Sequence, residues 1–89
     1  MPRRGSLEDR DPVAVAFGEA VRRVRRERHE TLETVAGRIP RTNRKGQRIT
    51  MDGRHLGEIE RGYHAPSIVT AKQIADALEV PVADLLRDV

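Results

Sequence analysis

The fold of this chain is decided by residues 49–62, which read Ile49-Thr50-Met51-Asp52-Gly53-Arg54-His55-Leu56-Gly57-Glu58-Ile59-Glu60-Arg61-Gly62. Leu56 and Ile59 are three positions apart and share one face of a helix, whereas Arg54, His55 and Glu58 fall on other faces. One side of this helix is suited to a protein core, and the other side is suited to a binding partner.

Helix signals stand at both ends of this stretch. Asp52 is a good N-cap, and Gly62 can adopt the left-handed conformation that ends a helix, so we predict a helix from about 53 to 61. Gly53 and Gly57 inside it each cost about 0.5–1 kcal/mol relative to Ala. Tight packing or close approach of a partner to the bare backbone would each explain them, and the sequence leaves both alternatives open.

The composition limits the class of protein. With 89 residues, 37% hydrophobic and 2% aromatic, the chain supports one domain with a small aliphatic core. The absence of cysteine excludes disulfides and thiolate metal sites. Because no apolar run could cross a bilayer and the N-terminus is polar, we expect a cytoplasmic protein with no membrane partner.

The basic residues are concentrated in one segment. The formal net charge is only +3, but the segment 38–48 carries five basic residues and no acid: Arg38, Arg41, Arg44, Lys45 and Arg48. Such a cluster favours a polyanionic partner. The arginines of the first helix are also basic, and they fit either a solvated face or phosphate contacts.

The remaining chain is predicted to form short helices. Residues 1–11 have no period and are expected to be a disordered arm, and residues 12–89 the folded domain. A first helix, 12–29, has an apolar stripe at Val13, Phe17, Ala20, Val21 and Val24. Thr31 caps a second helix, 31–39, in which the buried stripe is Leu32, Val35, Ala36 and Ile39.

The segment after the second helix differs from the rest. Residues 40–48 are polar and basic, which predicts a loop that is mobile in the free protein. Ser67 then caps a helix with Ile68, Ala71, Ile74, Ala75 and Leu78 on its inner face. Pro81 begins a last helix that places Val82, Leu85 and Leu86 inward. The total is five helices and no strand.

Several groups of these residues resemble one family. The quoted residues are Phe17-Gly18, Val21 and Val24-Arg25 in the first helix, Thr31 and Val35-Ala36 in the second, then Leu56, Ile59-Glu60-Arg61-Gly62, Pro66-Ser67, Thr70, Ile74-Ala75, Ala77-Leu78, Val80 and Leu85-Leu86. Over about residues 16–87 the chain resembles the Cro/cI (XRE-type) helix-turn-helix family. The resemblance implies an all-α, five-helix lambda-repressor-like domain, here with an extended loop between helices 2 and 3.

The resemblance also implies site residues. In this family the third helix enters the major groove of DNA, so the base-facing positions are Gly53, Arg54, His55 and Glu58. The expected phosphate contacts are the residues Arg41, Arg44, Lys45, Arg48, Arg61, Ser67 and Ile68, the last two through backbone amides. The family's ion pair across the core falls on Arg25 and Glu60.

Two of the base-facing positions carry charges with different expected roles. Arg54 is the first choice for a bidentate contact to guanine, and Glu58 would accept from cytosine or orient Arg54. Both are also compatible with ordinary solvated positions on an exposed helix.

Three positions depart from the family. The turn between helices 2 and 3 is about ten residues longer than usual. Leu32 stands where many members have a Gln that contacts a phosphate, so this contact is lost. The Arg-rich loop is a plausible substitute for it. Glu79 replaces a frequent Gly after the fourth helix, and we expect this change to be tolerated.

The sequence offers little for catalysis or metal binding. His55, His64, Glu58 and Glu60 are possible ligand types, but they form no HxxxH pair, so we predict no metal and no cofactor. No nucleophile motif or phosphate-binding loop is present, so an enzyme with a small-molecule substrate is not expected.

The predicted function is therefore sequence-specific binding of double-stranded DNA by a transcriptional regulator, as a homodimer on an inverted repeat. The alternative is an adaptor or antitoxin that uses the same fold to bind a protein.

Overall fold

The computed structural model describes residues 10–89, which form five helices and one two-stranded antiparallel sheet. The elements are α1 (Pro12–Glu27), α2 (Leu32–Ala36), β1 (Pro40–Thr42), β2 (Arg48–Thr50), α3 (Gly53–Glu60), α4 (Ile68–Leu78) and α5 (Val82–Leu86). Most of the predicted disordered arm, residues 1–9, lies outside the described residues. Among residues 10–89, no helix combines the length and the apolar character that crossing a bilayer requires.

Side-chain caps fix the starts of four helices. The predicted caps Thr31, Asp52 and Ser67 each accept a hydrogen bond from a backbone N–H in the first turn, at 3.1, 2.7 and 3.1 Å. Asp11 caps α1 in the same way at 2.7 Å, with Pro12 as the first helical residue. Each cap satisfies a backbone donor that would otherwise lack a partner.

One aliphatic core joins all five helices. Its largest fully buried side chains come from every helix and from the residue before β1: Val21, Val35, Ile39, Leu56, Ile59, Ile74, Leu78 and Leu85. Helix α1 packs directly on the end of α3, where a Cβ on Gly18 would lie 2.2 Å from the carbonyl oxygen of Ile59. Only glycine permits this approach, so Gly18 sets the spacing between the two helices.

Three apolar side chains do not lie where periodicity placed them. Val13, Ile68 and Leu86 were expected to face inward, but they are 53%, 84% and 44% exposed. Each stands in the first or last turn of its helix. The three side chains border an apolar groove on the surface. Phe17 and Pro66 also line this groove.

Helix α2 is shorter than expected, because it ends at Ala36 with Gly37 as its C-cap. Ile39 is nevertheless fully buried, as its place in the predicted stripe required. The residue after the helix therefore contributes to the core without being helical.

The segment predicted as a mobile loop contains a β-hairpin. Pro40, Arg41 and Thr42 pair with Thr50, Ile49 and Arg48, and the N–H of Met51 continues the ladder to the carbonyl of Ile39 at 2.9 Å. The side-chain oxygen of Asn43 accepts from the N–H groups of Lys45 and Gln47 at 2.9 Å each, which closes the turn. Because Ile39 and Met51 are buried at its base, the hairpin is anchored to the core.

Candidate nucleic-acid interface

Helix α3 presents a polar side to solvent. Arg54 is exposed, His55 and Glu58 are half-buried, and Leu56 and Ile59 point into the core with at most 1% exposure. The Asp52 cap fixes the first turn of the helix, and with it the position of Arg54. The division between a core side and a partner side therefore follows the spacing read from the sequence.

The two glycines of α3 serve packing. Gly53 and Gly57 are both buried, and an added Cβ would lie 2.9 Å from the Glu33 carboxylate at Gly53 and 3.4 Å from Leu32 at Gly57. At Gly57 the nearest atom to an added Cβ is a guanidinium nitrogen of Arg61, at 3.3 Å, so only the Glu33 side chain at Gly53 comes closer than 3.0 Å. The expected base contact by Gly53 stays a prediction.

An ion pair anchors the far end of α3 to α1. Arg25 donates to both carboxylate oxygens of Glu60, at 2.6 and 2.9 Å, and also to the carbonyl oxygen of Glu30 at 2.9 Å. The Arg25 and Glu60 side chains are only 12% and 4% exposed. The hydrogen bond to Glu60 is the main reason that the pKa of Arg25 is raised above its ordinary value. The expected pair is therefore present, and it joins α3 to α1.

The hairpin places basic residues beside α3. A cleft between the hairpin and the start of the helix is lined on one side by Arg41 and Ile49 and on the other by Asp52 and His55. Arg44, Lys45 and Arg48 are exposed around the turn, and Arg41 is half-buried. Among residues 10–89, none of these four basic residues, nor Arg54, forms an ion pair with an acid.

Many basic residues elsewhere are paired. Arg23, Lys72 and Arg87 form ion pairs with neighbouring acids. Arg38, which belongs to the basic run of the sequence, pairs with Glu30 and donates to the carbonyl of Ala77 at 3.2 Å, so its role is structural. Within residues 10–89, the largest group of basic residues without an ion pair lies on the hairpin and on α3, whereas Arg22 and Arg26 on α1 and Arg10 are unpaired elsewhere.

The start of α4 has free backbone donors. Ser67 and Ile68 are exposed, and neither N–H donates a hydrogen bond within the described residues. Donors of this kind at a helix N-terminus suit a phosphate. Arg61, the remaining expected phosphate contact, is exposed at the end of α3, with its guanidinium 5.4 Å from the centre of the Tyr63 ring.

Comparison with known proteins identifies solved structures with a similar fold. No family model matches the chain, and no curated protein matches it. Among solved structures, it is similar to the clp gene regulator ClgR from Corynebacterium glutamicum, with 26% identity over 88% of each chain and a TM-score of 0.72. A second structure of ClgR from the same organism is 25% identical. The match covers 89% of this chain and 73% of that structure, and its TM-score is also 0.72.

The restriction-modification controller protein C.AhdI from Aeromonas hydrophila is also similar, with 28% identity over 81% of this chain and 94% of its own, and a TM-score of 0.65. The chain has the Cro/cI-type helix-turn-helix fold. The expected five-helix architecture and the resemblance to this family are thereby confirmed, with a β-hairpin in place of the expected loop. Helices α2 and α3 stand where the family resemblance places the helix-turn-helix, and α3 stands where it places the third helix.

One cluster of possible metal ligands beside α3 was not evident from sequence spacing. The structure brings the side chains of His55 and Glu58 together with that of His64, which follows the helix. Spacing within one helix could not reveal this, because His64 reaches the cluster through a chain reversal at Gly62. The sequence signal was the glycine itself, which predicts a left-handed helix end.

Proposed function

We propose that this chain is a sequence-specific, DNA-binding transcriptional regulator of the cytoplasm that reads the major groove with α3 and acts as a homodimer. The observation that supports this most strongly is the concentration of unpaired basic residues on the hairpin beside the exposed side of α3. The similar solved structures, ClgR and C.AhdI, are a gene regulator and a controller protein. The proposed activity is recognition without catalysis, and it needs no small-molecule substrate.

The contacts divide into two kinds. Arg54, His55 and Glu58 are the proposed base readers, since they occupy the outer side of the recognition helix. The proposed phosphate contacts are the basic side chains of the hairpin, Arg61, and the backbone amides of Ser67 and Ile68. These contacts fix the protein on the duplex without reading its sequence. The rigid anchoring of α3 by Glu60 supports this division, because base recognition requires a fixed helix.

Selection of bound DNA from a random pool, followed by affinity measurements at several salt concentrations, tests the function. We expect one enriched motif and a steep fall of affinity with salt, since each neutralised phosphate releases counterions. Recovery of no motif, or binding that varies little with salt, would contradict the proposal.

Protein binding is the second candidate function, and one observation favours it. The apolar groove bordered by Val13, Ile68 and Leu86 exposes large apolar side chains, which is typical of a surface that contacts another polypeptide. An adaptor or antitoxin that used this groove would bind its partner with little dependence on salt. The salt series therefore separates the two candidates.

A further inference from the structure

Three metal-ligand side chains meet beside α3: His55 from its first turn, Glu58 from its last turn, and His64 from the segment after it. One ligand atom from each of His55, Glu58 and His64 can be chosen so that all three lie within 4.8 Å of one another. The Nε2 atom of His64 is 3.7 Å from a carboxylate oxygen of Glu58, and the two imidazole rings stack with centroids 5.5 Å apart and planes 18° from parallel. All three side chains are half-buried, so they are partly shielded but open to an ion from solvent.

The backbone determines this convergence. His55 and Glu58 are three residues apart in α3 and therefore share a face. After the helix, Gly62 takes a left-handed φ of 79°, and the N–H groups of Gly62 and Tyr63 donate to the carbonyls of Ile59 and Glu58 at 3.0 Å each. This is a Schellman motif, and it turns the chain back along the helix.

Tyr63 holds the returning segment in place. Its ring lies under two guanidinium groups, with Arg10 at 5.2 Å and Arg61 at 5.4 Å from the ring centre. Arg10 also donates to the carbonyl oxygen of Arg61 at 2.7 Å. His64, the next residue, is thus brought to the helix by ordered contacts.

Two imidazole nitrogens and one carboxylate oxygen form a donor set that suits zinc. Zinc bonds of about 2.0–2.2 Å in tetrahedral geometry place ligand atoms about 3.3 Å apart. The 3.7 Å separation of His64 and Glu58 is near this value. The rings of His55 and His64 are nearly parallel, so at least one of them must turn for both nitrogen lone pairs to point at one ion. Calcium and magnesium prefer oxygen ligands, so a site with two histidines discriminates against them.

We propose that His55, Glu58 and His64 bind a divalent transition-metal ion of the zinc class, with water in the fourth position. The consequence for DNA, which rests on the proposed function, is that the metal occupies two of the three proposed base readers. The divalent ion also changes the net charge of the three side chains from about −1 to about +1, with both histidines neutral. By linkage, a metal that changes DNA affinity must have its own affinity changed equally by DNA.

Zinc binding is tested first on the free, tag-free protein by calorimetry, and by cobalt substitution followed with visible absorption. We expect one equivalent of zinc per chain and a tetrahedral cobalt spectrum. The variants His55→Ala, His64→Ala and Glu58→Gln should each bind zinc more than about tenfold more weakly. His29→Asn is the matched control, because His29 is the third histidine of the chain and lies outside the cluster.

Imidazole NMR signals provide a second measurement that does not depend on variants. Zinc should shift the ring signals of His55 and His64 and leave those of His29 in place. Absence of zinc binding, equal affinity in wild type and His64→Ala, or shifts at His29 alone would overturn the proposal. Circular dichroism melts of the variants verify that a lost site is not a lost fold.

The effect on DNA is measured afterwards, by repeating the pool selection with and without zinc. We expect zinc to change the preference at base pairs facing His55 and Glu58 and to preserve the preference read by Arg54. If the protein binds zinc but selects no DNA motif, the metal site stands and the proposed regulatory function fails. If it selects one motif and binds no zinc, the proposed regulatory function stands and the metal site fails.

Discussion

At the scale of single residues, Arg54 is the side chain on which the proposed base readout depends most. It is exposed in the first turn of α3, which begins at the Asp52 cap, and it forms no ion pair within residues 10–89. We expect Arg54→Ala to cost roughly 1–3 kcal/mol on the selected site and to relax preference at one base pair. Fluorescence anisotropy on matched and single-mismatch duplexes measures both effects.

The control for this variant is Arg87→Ala, which removes an arginine from an exposed pair with Asp84 near the end of the chain. It should leave the base preference unchanged. If Arg54→Ala also keeps the wild-type preference, Arg54 contacts phosphate at most.

Glu60 is the residue on which the position of α3 depends most. Its carboxylate is 4% exposed and accepts two hydrogen bonds from Arg25. We expect Glu60→Ala to destabilise the fold by about 3 kcal/mol, the lower end of the range for breaking a buried pair, because Arg25 keeps its bond to Glu30. Thermal melts should show a fall of about 4–8 °C in Tm for each kcal/mol.

Glu58→Ala, in the same helix but half-buried, is the matched control and should change the Tm far less. The double variant Arg25→Ala/Glu60→Ala should be less destabilised than the sum of the two single variants, since neither charge is then left alone. A Tm that does not change in Glu60→Ala would show that the pair contributes nothing to stability.

Residue-level prediction from the sequence succeeded where a position had one dominant physical constraint. Asp52 caps a helix, Gly62 has a positive φ, and Leu56 is fully buried, all as predicted. Ile68 was wrongly placed inside, because helical periodicity defines a face but not how far along the helix that face is covered. The neighbour closest to an added Cβ at Gly53 is the side chain of Glu33 on another helix, which no local pattern contains.

At the scale of elements, the hairpin is the feature in which this chain differs most from the expected loop. Its strands are almost entirely exposed, so they carry no alternation of apolar and polar residues from which to predict strands. The order comes from backbone pairing, the Asn43 turn, and the buried Ile39 and Met51 on either side. Only the turn residues, Asn43 and Gly46, offered a sequence signal.

The basic hairpin is expected to contribute a salt-dependent, sequence-independent share of DNA affinity. Replacing Arg41, Arg44 and Lys45 together by Ala should weaken binding to all sequences similarly. It should also flatten the slope of log affinity against log salt by about two to three units, at about 0.9 per phosphate contact. Thermal stability should change little, because none of the three side chains forms an ion pair within residues 10–89.

A matched control for the hairpin variant replaces Arg23, Lys72 and Arg87, which are exposed but paired with acids away from α3. We expect this variant to keep most of the wild-type slope. A hairpin variant with the full wild-type slope would mean that the hairpin does not contact DNA and that its charge serves another partner.

Glu30 connects the end of α1 with the segment that leads into the hairpin. Hydrogen bonds from Arg38 and then Arg28 lower the pKa of Glu30 from 4.5 to about 2. A carboxyl group with a depressed folded-state pKa stabilises the fold above pH 4.5, and this stabilisation is lost as the pH falls towards 2. Glu30→Gln should therefore be less stable at neutral pH and should lose less stability between these two values.

Urea unfolding at a series of pH values measures this difference. Asp84→Asn is the control, since it removes a carboxylate from an exposed pair on α5. Parallel pH profiles for wild type and Glu30→Gln would show that the Glu30 network does not contribute to acid stability.

At the scale of the whole molecule, the dimensions of the protein bear on the proposed homodimer. One copy measures 37 × 32 × 22 Å, and one turn of DNA is about 34–36 Å long. Two copies related by a two-fold axis can therefore sit side by side on one face of the duplex, with their α3 helices in successive major grooves. The sequence alone predicted the dimer only through the family resemblance, because the shape of the molecule depends on packing between distant helices.

Spacing between half-sites tests this arrangement directly. With half-sites about 10 bp apart, both recognition helices reach the same face of the DNA, whereas about 5 bp more turns the second half-site to the opposite face. Affinity for the lengthened site should fall to that of a single half-site, and light scattering should change from two copies per duplex to one. A duplex with the original spacing but an altered central sequence is the control. Affinity that is independent of spacing, with one copy bound throughout, would show that the protein reads DNA as a monomer.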